Sequence, residues 1–198
     1  MSIKSQLRYG FLALLLALAA CAPYSLVPPA PTDVANFRVE TDIAWNKANQ
    51  LRIESSAPIA YWTADGPSLN AIMFIGGVKN GEVLLRVPGS SETETLVFRD
   101  SMAPGEIVEL WESTIAKLNN TTIAEGRNVR PVKFGGGDGF SFDFSYVTKD
   151  EVDRRGIGYA AVRDGRLYMI FYSGTKLHHY GLRLPSAMRI IETAQIGG

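Results

Sequence analysis

Phe140-Ser141-Phe142-Asp143-Phe144-Ser145-Tyr146 alternates between aromatic and polar residues without a break. Successive side chains on an extended backbone leave on opposite sides, so period-two alternation predicts a strand with one face in a core and one toward water. Phe140, Phe142, Phe144 and Tyr146 fall on the buried face, and Ser141, Asp143 and Ser145 on the wet one. One-sided strands of this kind belong to antiparallel sheets.

The segment feeding this strand is Gly135-Gly136-Gly137-Asp138-Gly139. It lacks the Lys-Ser/Thr of a phosphate-binding loop and opens a strand, not a helix, so it reads as a turn or bulge. An exposed glycine-rich turn also makes Gly136, Gly137 and Asp138 candidate contacts for a partner. Downstream, residues 156–162 and 166–172 flank Asp164-Gly165, and upstream, residues 70–78 and 82–87 flank Lys79-Asn80-Gly81. Asp-Gly and Asn-Gly tolerate positive φ, so each pair of runs is expected to be a hairpin. Weaker strand signals cover residues 37–43, 51–54, 59–63, 95–99 and 129–134.

Two stretches carry helical spacing. Across residues 104–118, Ile107, Leu110, Trp111, Ile115 and Leu118 recur on one face, Pro104 suits a first turn, and Asn119-Asn120 stops the pattern. A second helix is expected from Ser186 to about Gln195, with Pro185 just before it. Strands, a helix, more strands and a final helix give an α+β class: an antiparallel sheet with a mid-chain and a C-terminal helix packed on it. This order of elements, over roughly residues 37–195, resembles the Mog1/PsbP-like fold. Proteins of that group mostly serve as accessory or binding subunits, so the resemblance implies binding and carries over no functional residue.

The first 21 residues are of another kind. Lys4 and Arg8 precede an apolar run from Gly10 to Leu18, and the small residues Ala19 and Ala20 lead to Cys21. This is the three-part form of a secretory signal peptide. The run through Ala22 has 13 residues where a spanning helix needs about 20, so a retained transmembrane anchor is not expected. Leu18-Ala19-Ala20-Cys21 resembles the lipobox of bacterial lipoproteins. The resemblance implies cleavage before Cys21, a diacylglyceryl group on its sulfur and an acyl chain, such as palmitate, on its amine. Two or more chains give stable anchoring where one does not. Ala22 stands where an inner-membrane retention Asp is found in the enterobacterial family, which implies an outer-membrane anchor facing the periplasm. Cys21 is the only cysteine, so lipidation also removes a free thiol from an oxidising compartment. Four prolines between Ala22 and Thr32 suggest a semi-rigid polyproline spacer. The expected organisation is therefore a signal peptide at 1–20, a lipidated cysteine and Pro-rich tether at 21–35, and one globular domain at 36–198.

Composition narrows the function. The chain has 198 residues with 20 basic and 20 acidic side chains, and this balance offers no electrostatic footprint for nucleic acid. A hydrophobic fraction of 46% with 20% charged residues excludes large-scale disorder. His178-His179, the only histidines, would point to opposite faces of a strand and so not converge on a metal; no metal or cofactor is expected. Ser173-Gly174-Thr175, near His178 and Asp164, is the best fragment of a catalytic triad, and Asp138 with Asp143 the best carboxylate pair. Trp45, Trp62 and Trp111 read as core, with Trp62 a partner-binding anchor if exposed. Asp150 to Arg155 reads as a solvated charged loop. The leading expectation is a non-enzymatic envelope lipoprotein that engages membrane lipid through acylated Cys21 and an envelope protein through its domain. The alternative is a lipid-anchored periplasmic hydrolase working through Asp138, Asp143, Ser173 or His178.

Overall fold

The computed structural model describes residues 22–86 and 96–197. Residues 1–20 and Cys21, on which the signal-peptide and lipidation expectations rest, lie outside the described residues. No helix among the described residues is long and apolar enough to cross a membrane.

The elements run β1 (Tyr24–Val27), β2 (Pro31–Val34), β3 (Phe37–Glu40), β4 (Trp45–Ala48), β5 (Ile59–Thr63), β6 (Asn70–Lys79), α1 (Pro104–Asn119), β7 (Ala124–Phe134), β8 (Gly137–Val147), β9 (Asp153–Arg163), β10 (Arg166–Thr175), α2 (His179–Thr193) and β11 (Gln195–Ile196). Eight strands form one antiparallel sheet in the order β1-β4-β5-β6-β10-β9-β8-β7, and a small sheet has the order β11-β3-β2. The α+β expectation holds, with the mid-chain and C-terminal helices in place.

β8 carries the alternation that decides the fold. Phe140, Phe142, Phe144 and Tyr146 are buried together with Met169 and Phe171 of β10 beneath Ile107, Leu110 and Trp111 of α1. Trp111 meets Phe171 edge-on at 4.9 Å, a favoured aromatic geometry. On the opposite side of the sheet, Ile157, Ile170 and Tyr172 pack with Ala187, Ile190 and Ile191 of α2 and with Phe37 and Val39 of β3. The expected wet face of β8 is only partly wet, since Ser141 is buried, Asp143 half-buried and Ser145 exposed.

The β9–β10 hairpin forms as expected. Asp164 and Gly165 both adopt positive φ, 49° and 69°, the geometry of a two-residue turn whose twist matches its strands. The β7–β8 turn at Gly135-Gly136 repeats this, at 63° and 87°. α1 begins at Pro104, with the Glu106 carboxylate accepting the Ala103 N–H at 2.7 Å. It ends on Asn120 in the left-handed region, a standard helix stop.

Five expectations need correction. The Asn80-Gly81 turn exists, with Glu82 N–H donating to Lys79 O at 3.1 Å, but the chain does not return along β6. β6 lies between β5 and β10 instead, because its apolar run, buried on both faces, is satisfied only in the middle of a sheet. Residues 51–54 and 96–99 are not strands; Glu54 and Arg86 form a lone bridge. The proline-rich stretch is no free spacer: β1 pairs with β4 and β2 with β3, and Val27 and Val34 enter the core. Pro31 starts an edge strand, where its missing N–H costs no ladder bond. α2 starts at His179, and Pro185 lies inside it. The Tyr172 hydroxyl donates to the His179 and Tyr180 carbonyls at 2.9 and 3.0 Å, and Arg183 grips Asp65; these contacts hold the turns that Pro185 would otherwise terminate. Finally, Asp150–Arg155 is not wholly a solvated loop, since β9 begins at Asp153 and Arg154 is buried at 5% exposure.

Candidate functional site

α2 lies over β10, β9 and β6 and leaves one end of β7 and β8 uncovered. There a cleft of about 450 Å³ is lined by Glu125, Arg127, Asn128, Asp143, Arg155 and Tyr180. Its shape comes from a bulge. The β7–β8 register shifts between Arg127 and Arg130, and Asn128 takes a positive φ of 55°, so one extra β7 residue is accommodated and its side chain re-aimed. Asn128 Nδ2 donates to Asp143 Oδ2 at 2.8 Å, and Arg130 Nη2 reaches Asp143 Oδ1 at 3.4 Å. Arg127 pairs with Glu125 at 2.7 Å, and the hydrogen bond from Arg127 holds the Glu125 carboxyl below the usual carboxylate range.

These pairs leave two donors. The Arg155 guanidinium has no hydrogen-bond or ion-pair partner among the described residues. Tyr180 stacks on Tyr172 with ring centroids 5.6 Å apart; burial, then the charge of Asp143, pushes its phenol up, so it stays a protonated donor. Burial raises Tyr159 as well. Two carboxylates facing several guanidinium and phenol donors suit recognition of a polar, mixed-charge surface.

The other residues singled out from the sequence are dispersed. Trp62 is 1% exposed and packs on Phe74 at 4.7 Å, so it is not a partner anchor; it sits in the apolar layer beneath the small sheet. Gly136 belongs to the β7–β8 turn, and Gly137 is the first residue of β8. Gly136 takes a φ of 87° that favours glycine, and a side chain on Gly135 would meet Ile196 Cγ1 at 2.6 Å, so the run is glycine-rich partly to let β11 lie beside it. Asp138 is exposed and pairs with Lys133. Asp143 is five residues along the same strand and on the other face, so the two carboxylates do not converge. Ser173 is buried, its Oγ 3.1 Å from the Tyr146 hydroxyl. Asp164 sits at the opposite end of β10 from Ser173. The histidines lie on no strand: His178 caps α2, and His179 Nδ1 is 3.0 Å from Thr175 Oγ1. Among the described residues, no three His, Cys, Asp or Glu side chains cluster as metal ligands. The cleft residues carried one sequence signal, the polar face of β8 at Asp143; the bulge at Asn128 and the approach of Tyr180 had none.

No family model matches the chain, and no curated protein matches it in sequence. Solved structures do match in shape. Cyanobacterial PsbP (CyanoP) from Synechocystis is similar at a TM-score of 0.55 with 8% identity, over 89% of this chain and 94% of that one. LpqN, involved in cell envelope biogenesis of Mycobacterium tuberculosis, aligns at 13% identity over 90% and 88% of the two chains, with a TM-score of 0.34. A Pseudomonas aeruginosa protein of unknown function aligns at 10% identity over 85% and 95%, with a TM-score of 0.39. At these identities the CyanoP likeness speaks to fold alone: this chain has a PsbP-like α+β fold.

Proposed function

We propose that this protein is a bacterial envelope lipoprotein, anchored in the outer membrane through acylated Cys21 and facing the periplasm, whose domain is a non-enzymatic module that binds an envelope protein. The observation that carries the anchor is the sequence Leu18-Ala19-Ala20-Cys21 placed directly after a short apolar run. The start of β1 at Tyr24 fits with it, since folding that begins three residues beyond the cysteine keeps the domain close to its lipid. The cleft of Arg155, Tyr180 and Asp143 supports the binding half of the reading, with Gly136 of the hairpin turn and Gly137 and Asp138 at the start of β8 as an outlying contact.

Two measurements test it. Wild-type protein expressed with labelled fatty acid takes up label and fractionates with outer membranes, and Cys21→Ser does neither. Crosslinking in intact cells captures an envelope protein, and Arg155→Glu reduces its yield without lowering the amount of folded domain. A soluble wild type, or label retained by Cys21→Ser, refutes the anchor; a crosslinking pattern unchanged by Arg155→Glu refutes the cleft.

A further inference from the structure

β1 is an edge of the large sheet, so its outer backbone groups face no strand among the described residues. It is short and flanked by proline, which discourages another strand from adding to it. Residues 22–32 carry no charged side chain. Pro23, Leu26, Pro28 and Pro29 are exposed, Leu26 at 68%, while Val27 turns into the core. The strip is fixed to the fold by one side chain. Asn49 Nδ2 donates to the Ala22 carbonyl at 2.8 Å, the Asn49 N–H donates to the Pro23 carbonyl at 3.0 Å, and Ser25 Oγ donates to Asn49 Oδ1 at 2.9 Å. The fold therefore begins at the residue after Cys21, about 3.8 Å from it, and no free linker lies between them.

A domain held so closely by a lipid rests part of itself on the bilayer, and the strand register decides which part. The ladders set Tyr24 level with Phe171 of β10, by way of Ala48, Tyr61 and Met73. β1 and β10 run the same way, so Cys21 comes level with Tyr168. The Asp164-Gly165 turn lies three residues, about 10 Å, beyond that level. Standing the strands upright on the anchor would drive this charged turn into the bilayer, where its polar groups find no partners. The opposite end of β10, at Thr175, lies seven residues or about 24 Å the other way and cannot face the bilayer end-on while Cys21 is held in it. Laying the domain on its β1 edge brings down the uncharged strip instead. Lys47 of β4 is level with Ser25 and has no hydrogen-bond or ion-pair partner among the described residues, so it stands beside the strip as a cation for anionic headgroups.

We infer, resting on the anchor proposed at Cys21, that the β1 edge is a lipid-contacting surface. Leu26 and the flanking prolines sit at the boundary of headgroups and acyl chains, and Lys47 meets the headgroups. The sheet stands on this edge, and the Arg155 cleft at the β7 side faces away from the bilayer, open to a partner.

The test uses the full chain, produced in a bacterial host and purified as the mature lipoprotein, carrying Leu26→Cys or, as a distant control on β7, Lys133→Cys. Both native side chains are exposed, and with Cys21 acylated each variant offers one thiol for a nitroxide label. The proteins are reconstituted into vesicles of phosphatidylethanolamine and phosphatidylglycerol, and collisions with oxygen and with a water-soluble nickel chelate read the depth of the label. The Leu26 label lies about 5–10 Å into the headgroup and acyl boundary, and the Lys133 label stays in water. Mass measurement of the purified protein reads the anchor separately. A chain without acyl groups refutes the anchor and this inference with it. An acylated chain whose Leu26 label is no deeper than its Lys133 label overturns the inference alone. So does spin–spin broadening at Leu26 that disappears on dilution with unlabelled protein, because β1 then meets a second copy of the chain.

Discussion

Replacing Asp65 by Asn isolates the contact that holds the first half of α2 in place. The Asp65 carboxylate accepts three hydrogen bonds, from Arg183 Nε at 2.8 Å, Arg183 Nη2 at 2.5 Å and Asn70 Nδ2 at 2.5 Å. Asn keeps the shape but turns one acceptor oxygen into an NH₂ facing those donors. Hydrogen bonds to charged groups contribute about 1.5–3 kcal/mol each, and the side chains of Arg183 and Asp65 are 30% and 20% exposed, which lowers the value. A loss of about 2 kcal/mol follows, or about 4–8 °C in Tm for a domain of this size. The loss is local in character. Amide exchange rises across residues 179–184, which depend on Arg183 and the Tyr172 hydroxyl, while residues 186–193, anchored by buried Ala187, Ile190 and Ile191, keep their protection. The difference also has a pH signature. Arg183 first, then Asn70, holds the Asp65 carboxyl below its ordinary value. A depressed carboxyl contributes stability that is complete above the unfolded value of about 3.9 and is lost as pH falls through the native one. Wild-type and Asp65→Asn stabilities therefore differ at neutral pH and converge in acid, as urea denaturation at a series of pH values will read. A gap that persists unchanged into strong acid, or exchange that rises equally along all of α2, refutes this account of how a helix with an internal proline is held.

Three further outcomes follow from the packing. Phe142→Ala empties a fully buried site between Phe144 at 6.2 Å and Phe171 at 6.5 Å and costs about 3–5 kcal/mol in chemical denaturation; a loss below 1 kcal/mol would contradict the core described for β8. Gly165→Val forces a β-branched residue to a φ near 69° and costs about 1–2 kcal/mol, whereas Gly165→Asn costs less, so equal effects of the two would remove the turn argument. Burial pushes the Tyr61 and Tyr172 phenols far above their ordinary value. Raised phenols bind protons that the unfolded chain has released, so stability falls as pH climbs above about 10; ultraviolet titration will show these two ionising only as the protein unfolds.

What the sequence disclosed and what it withheld follow one physical line. Features decided within a few residues were legible: the β8 alternation, the Asp164-Gly165 turn, and the Pro104 start and Asn120 stop of α1. Features decided across the chain were not. Asn80-Gly81 makes its turn, yet the neighbours of β6 are β5 and β10, and only pairing with a strand some ninety residues later satisfies a run that is apolar on both faces. Pro185 argued locally for a helix start at Ser186, but Tyr172 and Asp65 outweigh it from other elements. The prolines near the N-terminus argued for a spacer, but strands at sheet edges tolerate them. The cleft was legible only in Asp143. Its other half depends on a one-residue bulge in β7 and on where α2 stops covering the sheet, and neither leaves a local trace.

The charged run at Asp150–Arg155 shows how a segment that looks merely solvated acquires two roles. β9 begins inside it, and once a strand forms, neighbouring side chains must part to opposite faces. Tyr146 pairs with Arg154 and Ser145 with Arg155. One arginine is thereby carried under the α1 side, against an aromatic ring and a backbone carbonyl, and the next into the open cleft beside Tyr180. The ladders to β8 and β10 fix this assignment, because a slip of one residue would exchange the two guanidinium groups and bring the apolar residues of β9 to the wrong core. The cost of burying Arg154 is therefore imposed by the same register that buries Ile157 and Ala161, and the sheet can bear it because the hydrophobic layers on both faces hold that register. β1, the first strand in sequence after Cys21, and β7 are the two edges of the eight-stranded sheet, so at about 4.8 Å per strand the β7 side of the cleft lies roughly 34 Å across the sheet from β1. Under the anchor proposed at Cys21, the breadth of the sheet itself, in place of a proline spacer, gives the domain its reach.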